Sequence, residues 1–148
     1  MNLAKGNILL VEDDEADIEL ITDILRKYNL NNVINVARDG EEALNFLFRR
    51  GEFEQLQRED PVLVLLDLKM PKLGGIEVLK TMKSDKKFKK IPVVVVTSSR
   101  ENSDIQKCYE LGVNAYVVKP IDFTEFNEAI KNVGLFWLRI NQTPLSLP

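Results

Sequence analysis

The sequence predicts an α/β domain of the doubly wound kind. Two observations carry that prediction. Short apolar runs alternate along the chain with longer stretches whose apolar residues recur every three or four positions. The third and fourth runs, Val62–Leu66 and Val93–Val96, are apolar at every residue, as strands covered on both faces are. Strands that alternate with helices imply βαβ units and a parallel sheet.

Taken in order, Asn7–Val11 reads as a buried strand. Asp14–Asn29 follows with Ile21, Ile24, Leu25 and Tyr28 on one helical face. Val33–Ala37 is a second, weaker strand, closed by Asp39-Gly40. Leu44, Leu47 and Phe48 mark a second helix. Val62–Leu66 is the third strand, and Ile76, Leu79 and Met82 give a third helix. Val93–Val96 is the fourth strand. Ile105, Cys108 and Tyr109 give a fourth helix, stopped by Gly112. Ala115–Val118 is the fifth strand, and Phe126, Ile130, Val133 and Trp137 give a fifth helix. Five such repeats make a (βα)5 domain. Arg49–Asp60 is a polar connection long for such a fold, and Thr143–Pro148 reads as a short mobile tail.

The chain has 148 residues, a length that fits one domain with its own core. We assign the core to about residues 7–140 and the tail to 141–148. Twenty Lys and Arg against 23 Asp and Glu leave a net charge of −3, without the basic excess of a dedicated nucleic-acid binder. The single cysteine, Cys108, allows no internal disulfide and reads as a core residue rather than a redox thiol. The chain contains no histidine, which excludes a His-based nucleophile pair, a His-ligated zinc and a His proton shuttle within it. Oxygen donors remain for any metal, which favours Mg²⁺ or Ca²⁺. No run approaches the ~20 apolar residues of a membrane helix, and no secretory signal opens the chain. The expected location is cytoplasmic.

Open α/β sheets bind ligands beyond the carboxyl ends of their strands. Strand one ends in Glu12-Asp13-Asp14, strand three in Asp67, strand four in Thr97-Ser98-Ser99 and strand five in Lys119-Pro120. Acids, a hydroxyl and an ammonium therefore share one rim. Carboxylates crowded together repel and call for a cation, and hard oxygen ligands suit Mg²⁺. A lysine and a threonine hydroxyl can hold a phosphoryl group, and a carboxylate can attack phosphorus.

These residues carry a resemblance. Val11-Glu12-Asp13-Asp14, Leu65-Leu66-Asp67-Leu68-Lys69-Met70-Pro71-Lys72-Leu73-Gly74-Gly75, Val96-Thr97-Ser98 and Lys119-Pro120 together resemble the receiver domain of two-component response regulators, in order from about Asn7 to Ile140. The resemblance implies a flavodoxin-like, three-layer fold with a five-stranded parallel sheet of order 2-1-3-4-5. It implies Asp67 as the phosphoacceptor, with Mg²⁺ (or Mn²⁺) held by Asp13, Asp67, the Lys69 backbone carbonyl and, through water, Glu12. Thr97 and Lys119 match the groups that hold the phosphoryl, and Ser98 the small residue that keeps its pocket open. Tyr116 matches an aromatic that moves inward as Thr97 moves. Lys119-Pro120 resembles the family's cis peptide.

The resemblance also implies partners. A sensor histidine kinase or a phosphotransfer protein would supply the phosphohistidine that this chain lacks. The long Arg49–Asp60 connection and the Phe136-Trp137-Leu138 ending resemble regulators paired with phytochrome kinases. Such regulators often dimerise through the fourth helix, fifth strand and fifth helix, and no nucleic acid or membrane is expected as a partner. Phe136, Trp137 and Leu138 either seal the base of the domain or join a dimer surface. The chain ends soon after the fifth helix, so a stand-alone receiver is expected, a signalling protein rather than an enzyme acting on other substrates.

Taken singly, each motif has a plainer explanation. Glu12-Asp13-Asp14 could be helix N-terminal acids, Thr97-Ser98-Ser99 a capping cluster with Ser99 as cap, and Lys119-Pro120 an ordinary loop. The basic run Lys83, Lys86, Lys87, Lys89 and Lys90 reads as a solvated helix end. Two rival functions are a phosphate-independent interaction module and an aspartyl-phosphate hydrolase of the haloacid dehalogenase type. The hydrolase would need a second Asp two residues after Asp67, where Lys69 stands.

Overall fold

The computed structural model describes residues 6–30 and 32–144, so part of the predicted tail lies outside the described residues. Five parallel strands, β1 (Asn7–Val11), β2 (Val33–Ala37), β3 (Pro61–Leu66), β4 (Val93–Thr97) and β5 (Ala115–Val118), form one sheet. Its order is β2-β1-β3-β4-β5, as expected. The helices are α1 (Glu15–Lys27), α2 (Gly40–Phe48), α3 (Gly75–Ser84), α4 (Asn102–Glu110) and α5 (Phe123–Leu135).

Alternate residues of the central strands enter opposite cores. Leu9, Val11, Val64, Leu66, Val93 and Val95 pack with α2, α3 and Cys108 of α4. Ile8, Leu10, Leu63, Leu65, Val94 and Val96 pack with α1 and α5. The sheet is thus covered on both faces, which is why its central strands read as unbroken apolar runs. β2 and β5 lie at the edges, and their half-buried residues explain the weaker signal of β2.

Local chemistry sets the helix ends. Asp14, Asp39 and Asp122 cap α1, α2 and α5 by accepting backbone N–H bonds. Asn29, at φ 62°, stops the first helix two residues short of the predicted end. Gly112, at φ 97°, ends α4, a backbone conformation that glycine adopts without strain.

The Arg49–Asp60 connection is tied down at several points. Arg49 pairs with Asp60 at 3.0 Å, and Lys87 pairs with Asp60 at 3.2 Å. The Arg58 guanidinium lies 3.6 Å over the Phe46 ring, and Phe53 meets that ring edge-on at 5.4 Å. At the other end, α5 runs into one wider turn, Phe136–Ile140, fixed by a 2.7 Å bond from Arg139 to the Asn29 carbonyl. The three residues of that ending divide. Leu138 is buried in the α1–α5 core and Trp137 packs against it, while Phe136 stays largely exposed. Among the described residues no helix is long and apolar enough to cross a membrane.

The β3–α3 loop is pinned by two glycines. Gly75 N–H bonds the Leu68 carbonyl at 3.0 Å, and Gly40 N–H bonds the Leu73 carbonyl at 2.9 Å. A Cβ on Gly75 would run into the Asp67 carbonyl, and one on Gly40 into the Leu73 carbonyl. Gly75→Ala therefore forces either α3 or the end of β3 to move. We expect it to lower unfolding free energy by about 1–3 kcal/mol, read from urea denaturation. Burial, with Asp104 as a lesser contributor, pushes the Cys108 thiol up to about 11. Ellman's reagent is expected to leave Cys108 untouched in the native protein and to titrate one thiol in denaturant.

Candidate functional site

The sheet register builds the site. Val11 stands opposite Leu66, and Leu66 opposite Val95, so the residues just beyond β1 and β3 emerge at one level. The ladder continues one step past the strands. Glu12 N–H bonds the Ala37 carbonyl at 2.9 Å, Asp67 N–H the Val11 carbonyl at 3.0 Å and Lys119 N–H the Thr97 carbonyl at 2.7 Å. The side chains of the rim are thus held by sheet backbone rather than by loose loops.

Glu12, Asp13 and Asp67 each present a carboxylate oxygen within 4.8 Å of the others. Glu12 and Asp67 are buried and Asp13 is exposed, so the cluster opens to solvent on one side. Asp67 is oriented by a 2.8 Å bond from Leu68 N–H to its Oδ1. Hard oxygen donors in this number and spacing fit a divalent cation such as Mg²⁺ or Mn²⁺.

One ammonium balances these acids. Lys119 Nζ donates to Glu12 Oε1 and to Asp17 Oδ2, both at 2.7 Å, and stands 3.7 Å from Asp67 Oδ2. Burial works against its charge. Bonds to Asp17 and Glu12 and the charge of Asp67 more than offset that, and hold the lysine above its ordinary range. Burial pushes the Glu12 carboxyl up to about 7, with Lys119 opposing and the Asp67 charge reinforcing the shift.

The Lys119–Pro120 peptide is trans, which corrects the expected cis bond. The X–Pro bond favours trans by ~0.5–1 kcal/mol. Here the lysine reaches the acids from a trans bond, aimed by its backbone bond to Thr97 and by its two carboxylate partners.

Thr97 is fully buried at the end of β4, and its Oγ1 accepts a 3.4 Å bond from Ser99 N–H. Ser98 is exposed at the rim. Tyr116 is already turned toward the β4–α4 loop, its hydroxyl donating to the Ser99 carbonyl at 3.0 Å. Ser99 does not cap α4 directly. Glu101 holds that position, and Ser99 Oγ accepts from Glu101 N–H at 3.3 Å while donating to Asp104 at 2.6 Å. The Lys69 ammonium reaches the same Asp104 at 3.4 Å. Ser99 first, and Lys69 with it, hold that half-buried carboxyl below the usual carboxylate range.

Sequence reasoning missed Asp17 and Asp104. Asp17 lies on the first turn of α1, three residues after the cap Asp14, in the helix that begins just beyond the end of β1. Neither acid carried a signal of its own, because a first-turn acid is ordinary in any helix. The plainer view of Glu12-Asp13-Asp14 is right for one residue only, since Asp14 is the cap of α1.

This fold and this rim define a class of signalling protein. The response regulator receiver domain matches residues 8–131, and the chain belongs to that family. Response regulator Rcp1 of Synechocystis sp. (strain ATCC 27184 / PCC 6803 / Kazusa) is 39% identical over 137 residues, covering 93% of this chain and 92% of Rcp1. The phosphorylated cyanobacterial phytochrome response regulator RcpA superimposes with a TM-score of 0.88 at 39% identity, over 95% of this chain and 99% of RcpA. The Mn²⁺-bound form of response regulator Rcp1 does so at 0.88 and 37% identity, over 94% and 99%.

Removing Lys119 leaves buried Glu12 without its cation. Glu12 is an acid whose folded pKa is already raised, so the added cost is present above that pKa and relieved as pH falls and the carboxyl takes a proton. Lys119→Met is expected to lose about 3 kcal/mol of unfolding free energy at pH 8 and clearly less at pH 5.5, by urea titration at both values.

Proposed function

We propose that this protein accepts a phosphoryl group on Asp67 from the phosphohistidine of a partner histidine kinase or phosphotransfer protein. The observation that carries the reading is the geometry of Lys119, whose ammonium stands 3.7 Å from Asp67 Oδ2 while bonded to Glu12 and Asp17. A lysine so placed can neutralise a phosphoryl group on Asp67 without blocking the carboxylate.

Asp13 and Asp67, the Lys69 carbonyl and, through water, Glu12 would hold Mg²⁺ or Mn²⁺. When bound, the cation supplies charge neutralisation at the transferring group. The chain's own residues do the rest. Leu68 N–H orients the Asp67 carboxylate. An Asp67 oxygen attacks phosphorus in line, the O–P bond forms as the P–N bond breaks, and the partner's imidazole leaves. Lys119 and the Thr97 hydroxyl bind the transferred oxygens, and Ser98, facing solvent, leaves room for them. Positioning and charge account for most of the rate in such transfers. Water later hydrolyses the acyl phosphate and resets the site.

The output is a shift of the β4–α4 loop. Thr97 bonds Ser99, and Ser99 bonds both Tyr116 of β5 and Asp104 of α4. A phosphoryl group that draws the Thr97 hydroxyl therefore biases the face of α4, β5 and α5, through which two copies would pair. The likeness to Rcp1 and to the phytochrome regulator RcpA supports a phytochrome-type kinase as the partner, a chain acting as a single receiver domain, and a cytoplasmic location.

Intact-protein mass after incubation with acetyl phosphate and Mg²⁺ tests the reading. We expect a gain of one phosphoryl group in the wild type and none in Asp67→Asn or without Mg²⁺. Labelling that persists in Asp67→Asn would overturn the phosphoacceptor assignment. No labelling of a wild type that binds Mg²⁺ would favour the phosphate-independent interaction module.

A further inference from the structure

Lys119 carries three ammonium protons and no acceptor. Two are committed to Glu12 Oε1 and Asp17 Oδ2 at 2.7 Å each. The third faces Asp67 Oδ2 at 3.7 Å, beyond hydrogen-bond range. The two short contacts are not equivalent. Glu12 belongs to the three-carboxylate cluster, and its side chain is 2% exposed. Asp17 stands outside that cluster on the first turn of α1, with its side chain 29% exposed. Its place is set by the cap, since Asp14 accepts the Asp17 N–H at 3.1 Å and so fixes the turn that carries the carboxylate.

A divalent cation among Glu12, Asp13 and Asp67 competes with Lys119 for Glu12. It does not compete for Asp17. We propose that Asp17 is a positioning residue that retains the Lys119 ammonium when Glu12 turns to the metal, keeping the lysine beside Asp67 but off its carboxylate. The inference rests on the phosphoacceptor reading and deepens it. Without Asp17, the freed proton of Lys119 falls back on Glu12 and Asp67. Those are two of the three acids that the cation needs, so metal and lysine come into direct competition. Asp17 thus acts on metal binding through Lys119.

The test is calorimetric titration of Mg²⁺ into the full chain. Asp17→Asn is expected to bind Mg²⁺ about three- to tenfold more weakly than wild type at low ionic strength. Glu19→Gln removes the same formal charge from an exposed position of α1, and is expected to stay within about twofold of wild type. In a Lys119→Met background, the further change Asp17→Asn is expected to cost less than about twofold, because the residue it acts through is gone. A loss in that background as large as in the wild type would mean a simple field effect and would overturn the inference. Unchanged affinity in Asp17→Asn, or an equal loss in Glu19→Gln, would overturn it as well. All three outcomes leave the phosphoacceptor reading standing. A wild type that binds no Mg²⁺ removes that reading and the inference with it.

Discussion

The Lys119 ammonium is the charge on which the rim depends. Four carboxylates, those of Glu12, Asp13, Asp17 and Asp67, meet at the ends of β1 and β3 and the start of α1, and two of them are buried. Acids this close raise one another's pKa unless a cation stands between them. Lys119 crosses more than a hundred residues of sequence to reach Glu12 and Asp17. Burial alone would drive it toward neutrality, but its acid partners hold it charged. The arrangement balances one positive charge against four acids, and the remaining negative charge is what makes the open side of the cluster attractive to a divalent cation.

Sheet backbone turns that balance into a fixed geometry. Each of Glu12, Asp67 and Lys119 is the first residue past its strand, and each still makes a ladder hydrogen bond to its neighbour. Their Cα positions therefore inherit the precision of the sheet. Gly40 and Gly75 allow α2 and α3 to press against the loop that follows Asp67, so that loop has little room to relax. A site held this way loses little entropy when a ligand arrives, because its parts are ordered already.

The same physics decides what the sequence revealed. β3 and β4 were legible because burial on both faces demands apolar residues throughout. β2 and β5 were fainter because edge strands are half exposed. The motif residues Glu12, Asp13, Asp67, Thr97 and Lys119 were legible because each lies at a strand's end or within two residues past it, where period and strand end locate it. Asp17 and Asp104 were not, since a helix N-terminus welcomes acids for its own reasons and a pairing across the fold leaves no local trace. The peptide before Pro120 is trans where the resemblance implied cis, and no local sequence signal separates two isomers only ~0.5–1 kcal/mol apart. The Arg49–Asp60 connection is long for such a fold, yet its arginines find Asp60 and the Phe46 ring, and neither partner is visible in a linear reading.

Ser99 links this rim to the start of α4 and to β5. Ser99 offers its N–H to Thr97, its hydroxyl to Asp104, its Oγ lone pair to Glu101 N–H and its carbonyl to Tyr116. α4 starts without a side-chain cap and commits only Cys108 to the core. Its N-terminus is thus held largely by the Ser99 contacts and by the Lys69–Asp104 pair, whose lysine is mostly exposed and contributes little in water. α1, by contrast, buries four isoleucine and leucine side chains. The free energy needed to shift α4 is accordingly small beside that of moving α1, and local rearrangements follow the element with the fewest buried contacts. On the phosphoacceptor reading, a change of charge at Asp67 that pulled on the Thr97 hydroxyl would act first on Ser99, which Thr97 touches. From there the lowest-cost response would be a shift of α4 and Tyr116, because that is where the core is thinnest.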